Sequence, residues 1–198
     1  LQAEAPDIYA WLELPDTGID DPVLQRAGAD LFYNSHNAYG QYYMCGAVFS
    51  QSAYNGRNFD SPMTVLYGHS TVLGQPGAFM ELNNYADEAY FDAHREMRVY
   101  MPDGMYVYRI FAACVHSNEH LLYCHDFSDE TQFDAFFSSL TEDPSPDSHI
   151  DAEALPQAGD KVLTLSTCYS ANKNLRYLVM GVLEEFVPTA EAAGREAA

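Results

Sequence analysis

The chain has 198 residues, 47% hydrophobic and 14% aromatic, which suits one folded domain with its own core and excludes a disordered segment. Its 29 Asp and Glu against 9 Lys and Arg favour solubility and repel phosphate backbones and anionic lipid heads, so no nucleic-acid partner is expected. No apolar window is long enough for a spanning helix, and the four cysteines form neither a CxxC pair nor a zinc-ligand spacing, so no metal or cofactor is expected.

In chain order, Ile8, Trp11 and Leu12 stand at helical spacing and predict a short N-terminal helix running into a strand. Asp16, Gly18 and Pro22 supply turn chemistry around an extended segment at Val23 and Leu24. Tyr42 to Phe49 reads as a strand, with Gly46 as a bulge or close approach. Pro62 to Gly68 is a β-branched and aliphatic run that delivers His69 at its end. A histidine there is more often structural than catalytic, and it gains meaning only if the fold brings it to a partner. Gly77 to Tyr85 and Asp87 to His94 read as short helices, and Arg95 to Met101 with Met105 to His116 as a hairpin turned at Pro102 to Gly104. Ser128 is a candidate N-cap for a helix whose Phe133, Phe136, Phe137 and Leu140 form an apolar stripe. Thr141 to Gly159, rich in Pro, Asp and Ser, reads as a long surface connection that can wall a cleft.

The run KVLTLSTC, Lys161 to Cys168, alternates at period two and predicts a half-buried strand ending on a cysteine. A polar loop follows, and Arg176 opens a second apolar strand. If the two pair antiparallel, Cys168 and Arg176 are close neighbours, and a cation there favours the thiolate or serves a developing oxyanion. Single cysteines are more often inert than catalytic. Cys45 and Cys114 read as buried small hydrophobes, and a Cys114–Cys124 pair stays open. Ser166 shares a strand face with Cys168 and is a candidate substrate contact, with a packed hydroxyl as the alternative. Tyr123, bordering the long connection, is a weaker candidate against simple packing. Many short strands with turn signals point to a mainly β, closed or nearly closed barrel, a single domain over residues 1–187 with a flexible tail at 188–198.

Three motifs in order then carry a resemblance. TLSTC at Thr164 to Cys168, LYGHS at Leu66 to Ser70 and LRYLVMG at Leu175 to Gly181 resemble the cysteine, histidine and arginine motifs of sortases, and the opening WLELPDTGIDDPVLQ is similar to the class B pattern WLxIPGTxIDYPVVQ. The likeness runs from Trp11 to Val187 and departs from the family at Asp16, where Gly is usual, and at Gly28-Ala29 and Phe32-Tyr33, where the family often carries Asp-Asn and Tyr-Leu. It implies a barrel of about eight strands with an N-terminal helix and a helix before the cysteine strand. It also implies a cysteine transpeptidase with catalytic His69, Cys168 and Arg176, and with the backbone N–H after Cys168 as a second oxyanion donor. The implied partners are a sorting-signal peptide of the Asn-Pro-X-Thr type and an amine on a peptidoglycan precursor or a pilin. The implied place is extracytoplasmic, with the membrane reached only through an N-terminal anchor outside this chain. A cysteine protease would use the same groups with water as acceptor, but papain-like enzymes place cysteine before histidine, the reverse of this order. A non-catalytic barrel is the third reading, disfavoured by the presence of all three groups.

Overall fold

The computed structural model describes residues 3–190. Its strands are β1 (Ile8–Glu13), β2 (Asp20–Leu24), β3 (Val48–Phe49), β4 (Met63–Tyr67), β5 (Thr71–Val72), β6 (Gln75–Pro76), β7 (Glu96–Tyr100), β8 (Gly104–His116), β9 (His149–Ile150), β10 (Val162–Cys168) and β11 (Arg176–Pro188). The α-helices are α1 (Glu88–Ala93), α2 (Leu121–Cys124) and α3 (Glu130–Ser139). The strands run in the order β11-β10-β4-β3-β2-β1-β7-β8, and β8 pairs back onto β11, closing an eight-stranded barrel. Closure leaves no open edge in the barrel wall. β9 adds to β8 outside the ring, and β5 and β6 form a separate hairpin just after His69.

Two apolar layers hold the barrel. Leu12, Val23, Leu66, Val99, Ile110, Leu163, Leu165, Tyr177 and Val179 pack inside it. On the outside Phe133, Phe136, Phe137 and Leu140 of the α3 segment pack on Val65, Phe111, Val162, Leu178 and Met180. Each buried phenylalanine contributes roughly 1.5–3 kcal/mol. β10 is therefore buried on both faces, not half-buried as its alternation predicts, because α3 covers the side that would otherwise meet water. The α3 cap is Asp129, whose side chain accepts from Gln132 N–H at 2.9 Å, one residue beyond the expected Ser128.

The expected N-terminal helix is a strand. Ile8–Glu13 pairs with both β2 and β7, and a bulge between Ile8 and Ala10 accounts for the irregular apolar spacing that mimics a helix. Between Tyr42 and Phe49 only Val48–Phe49 is strand. Gly46 takes φ +61, and a Cβ there would lie 2.4 Å from the Tyr33 carbonyl oxygen, the expected close approach. The first of the two helices after His69 is a 3-10 helix over Met80–Ala86, and the second is α1. The hairpin of β7 and β8 forms as expected. The long connection is ordered by β9 and by a 3-10 turn at Ala152–Ala154. Of the expected tail, Pro188 ends β11 and Thr189 N–H bonds the Asp103 carbonyl at 2.8 Å, while 191–198 lie outside the described residues.

Candidate active site

The sheet order gathers the three motif residues at one rim. β4 runs parallel to β10, so both end together, and β11 starts where β10 ends. Cys168 and Arg176 are directly opposed across the antiparallel pair. His69 lies two residues past β4, whose exit is fixed by Gly68 N–H to Ser166 O at 3.3 Å and by Thr167 Oγ1–H to Gly68 O at 2.8 Å. All three line one cleft of about 270 Å³, closed on its other sides by the β2–β3 and β8–α2 connections.

Arg176 Nη1 approaches Cys168 Sγ at 3.7 Å and also donates to the Leu175 carbonyl at 3.4 Å. Among the described residues no carboxylate pairs with Arg176, although the chain is strongly acidic. Its charge is left for the thiol and for whatever enters the cleft. His69 Nε2 lies 2.9 Å from the Asn34 carbonyl, which can only accept, so this nitrogen carries a proton and its direction is set.

Ser166 is buried and lines the cleft beside Cys168. Tyr123 sits on α2, exposed and away from the lining. The backbone N–H after Cys168 is already engaged, since Tyr169 N–H donates to Leu175 O at 3.1 Å. The four cysteines are free thiols, and Cys114 and Cys124 do not pair. Burial pushes the Cys114 thiol up to about 12, which keeps it protonated and inert. Among the described residues no group of three or more His, Cys, Asp or Glu could hold a metal ion.

Three features escape sequence reasoning. Asn83, on the 3-10 helix after His69, donates from Nδ2 to the Cys168 carbonyl at 3.3 Å and accepts at Oδ1 from Ser170 N–H at 2.8 Å. His120 bonds Gln51 Oε1 through Nε2 at 2.6 Å, across a sequence separation no local pattern reveals. Tyr67 Oη and His120 Nδ1 are buried cleft-wall atoms without a hydrogen-bond partner among the described residues. Burial holds the Tyr67 phenol far above its ordinary range despite the opposing charge of Arg176, so it stays a neutral donor. Of these, only Tyr67 had a signal, its place inside LYGHS.

A half-enclosed thiol facing a guanidinium, with an oriented imidazole in the same cleft, is equipped for nucleophilic acyl chemistry. The family model described as the sortase domain matches residues 12–184. Sortase B of Listeria monocytogenes is 27% identical over 168 residues, 85% of this chain, and this chain spans 65% of that relative's length. Among solved structures, a mutant form of Clostridium perfringens sortase B has a TM-score of 0.77 at 22% identity, over 93% of this chain and 84% of the other. A Streptococcus pyogenes class B sortase involved in pilus biogenesis has a TM-score of 0.74 at 24% identity, over 92% and 94%. With the barrel, the three motifs and the matched span in agreement, the chain belongs to the sortase family, and its relatives lie in class B.

Proposed function

We propose that this chain is a cysteine transpeptidase that cuts a C-terminal sorting signal of the Asn-Pro-X-Thr type and passes the protein to an amine of a cell wall precursor. The observation that carries this reading is the 3.7 Å approach of Arg176 Nη1 to Cys168 Sγ in a cleft that His69 also lines. Cys168 thiolate attacks the carbonyl carbon of the signal's threonine, and Arg176 stabilises the oxyanion that forms. Collapse breaks the peptide bond, with the imidazolium of His69 protonating the leaving amine, and leaves a thioester. The acceptor amine then attacks the thioester, gives its proton to His69 and releases Cys168 as thiolate. Arg176 is the oxyanion donor in this reading because Tyr169 N–H is bonded to Leu175. Ser166 beside Cys168 is assigned a substrate contact, and Tyr123 a peripheral one. The site of action is the Gram-positive cell surface, reached through an anchor N-terminal to this chain.

A second reading, in which a pilin lysine supplies the amine, is favoured by the likeness to the Streptococcus pyogenes class B sortase involved in pilus biogenesis. One experiment tests both. The protein is incubated with an Asn-Pro-X-Thr peptide and either a peptidoglycan-type amine or a lysine-bearing pilin, and products are read by mass spectrometry. A joined product with the first amine is expected, and joining only to pilin selects the second reading. Cleavage without joining to either amine selects a protease. Cys168→Ala should abolish turnover, and turnover that survives it overturns the nucleophile.

A further inference from the structure

We infer that Asn83 is a positioning residue for the nucleophile, acting through the peptide between Cys168 and Tyr169; the inference rests on Cys168 being the attacking thiol. That peptide is held at both of its polar atoms. Its carbonyl accepts from Asn83 Nδ2 at 3.3 Å, and its N–H donates to Leu175 O at 3.1 Å. Asn83 Oδ1 also takes Ser170 N–H at 2.8 Å, so one carboxamide grips the chain on both sides of Tyr169. Rotation of this peptide would break the Asn83 and Leu175 bonds together and swing the strand end that carries Sγ. Asn83 thereby keeps Cys168 on Arg176.

The same short helix fixes the histidine. Phe79, which caps the 3-10 helix Met80–Ala86, donates its N–H to the His69 carbonyl at 3.0 Å. Phe79, Leu82 and Tyr85 are fully buried in the barrel core, which gives the helix a rigid seat. A segment of the chain that contributes no reacting atom thus ties the turn carrying His69 to the turn carrying Cys168. Preorganised spacing of this kind governs rate more than binding.

The test uses alkylation of Cys168, which needs no sorting peptide. A Cys124→Ser background removes the one exposed competing thiol, because Cys45 and Cys114 are buried. Iodoacetamide rates are measured at pH 7 for the background, for Asn83→Ala and for Asn83→Leu, with melting temperatures recorded. With Sγ displaced from Arg176, the alkylation rate of Asn83→Ala should fall about ten-fold. Asn83→Leu keeps the bulk, adds no charge and loses the bonds to the Cys168 carbonyl and to Ser170 N–H, so its rate should fall as far. With sorting peptide, kcat should fall about ten-fold or more while KM stays within about two-fold. A merely packing role predicts that Asn83→Leu is alkylated like the background, and that result overturns the inference. Should Asn83→Ala fail to fold, the Asn83→Leu rate decides alone. If no peptide is turned over by the unmutated protein, the transpeptidase reading falls while the alkylation arm still decides the role of Asn83.

Discussion

The two walls of the cleft are built differently. On the strand wall, Cys168, Arg176 and the exit to His69 hang from β10, β11 and β4, and the neighbouring backbone is tied by the bonds of Thr167, Gly68, Tyr169 and Asn83. On the other side Asn34 and Leu31 come from the β2–β3 connection and His116 to Leu121 from the β8–α2 region. There Tyr67, a strand residue facing this wall, and His120 leave buried polar atoms without partners among the described residues. A reacting group needs its geometry fixed before substrate arrives, whereas a recognising group can wait for the substrate to complete its bonds. The contrast assigns rate to the strand wall and affinity to the loop wall.

The sharpest way to break that division is Arg176→Ala. Loss of the proposed oxyanion donor should lower kcat about 10²- to 10³-fold with little change in KM. Because no carboxylate among the described residues depends on Arg176, the melting temperature should hold. Steady-state kinetics beside a thermal melt checks both, and a loss confined to KM would dissolve the distinction. Gly77→Ala strikes the same wall through the backbone. A Cβ at Gly77 would lie 2.2 Å from the His69 carbonyl oxygen, so the turn must shift. A cost of about 1–3 kcal/mol is expected, with a fall in kcat larger than the fall in folded fraction.

The strand wall was also the legible one. A β-branched and aliphatic run delivering His69, a period-two run ending on Cys168 and Arg176 opening the next run gave both the elements and the Cys168–Arg176 opposition found in the register. What single-strand patterns do not carry is the parallel pairing of β4 with β10, which brings the His69 turn to the same rim. Nor do they carry Asn83, 85 residues before Cys168, whose role exists only once the barrel closes. The first strand misread as a helix shows the same limit, since its pairing with β2 and β7 overrides local spacing. Asp16, in place of the family's usual Gly, holds φ +61, the left-handed conformation for which Gly is suited. The loop wall was nearly silent, because Gln51 and His120 meet across 69 residues of sequence.

Tyr67→Phe sharpens the comparison from the other side. It removes a buried hydroxyl with no partner among the described residues, so the protein should gain up to about 1 kcal/mol while KM for the sorting peptide rises a few-fold and kcat stays. An unchanged KM with raised stability would show that the orphan oxygen takes no part in recognition.

The smallest effect is expected at Asp151, which anchors the long connection well away from the cleft. Its Oδ2 lies 2.7 Å from Arg95 Nη2 and 3.3 Å from Arg109 Nη2. The hydrogen bond and charge of Arg95 hold its carboxyl below the ordinary value of 3.8, with Arg109 and the Glu153 N–H adding to the effect. A depressed folded value means that the contribution is present above the unfolded value and lost as pH falls through the folded one. Asp151→Asn should therefore lower the melting temperature slightly at pH 7, by no more than about 1 kcal/mol in stability. The gap to the unmutated protein should close as the pH drops below the unfolded value. Turnover at pH 7 should not change, because Asp151 touches neither wall. A loss of kcat here would mean that the strand wall draws its rigidity from the connection between α3 and β10 as well as from the barrel.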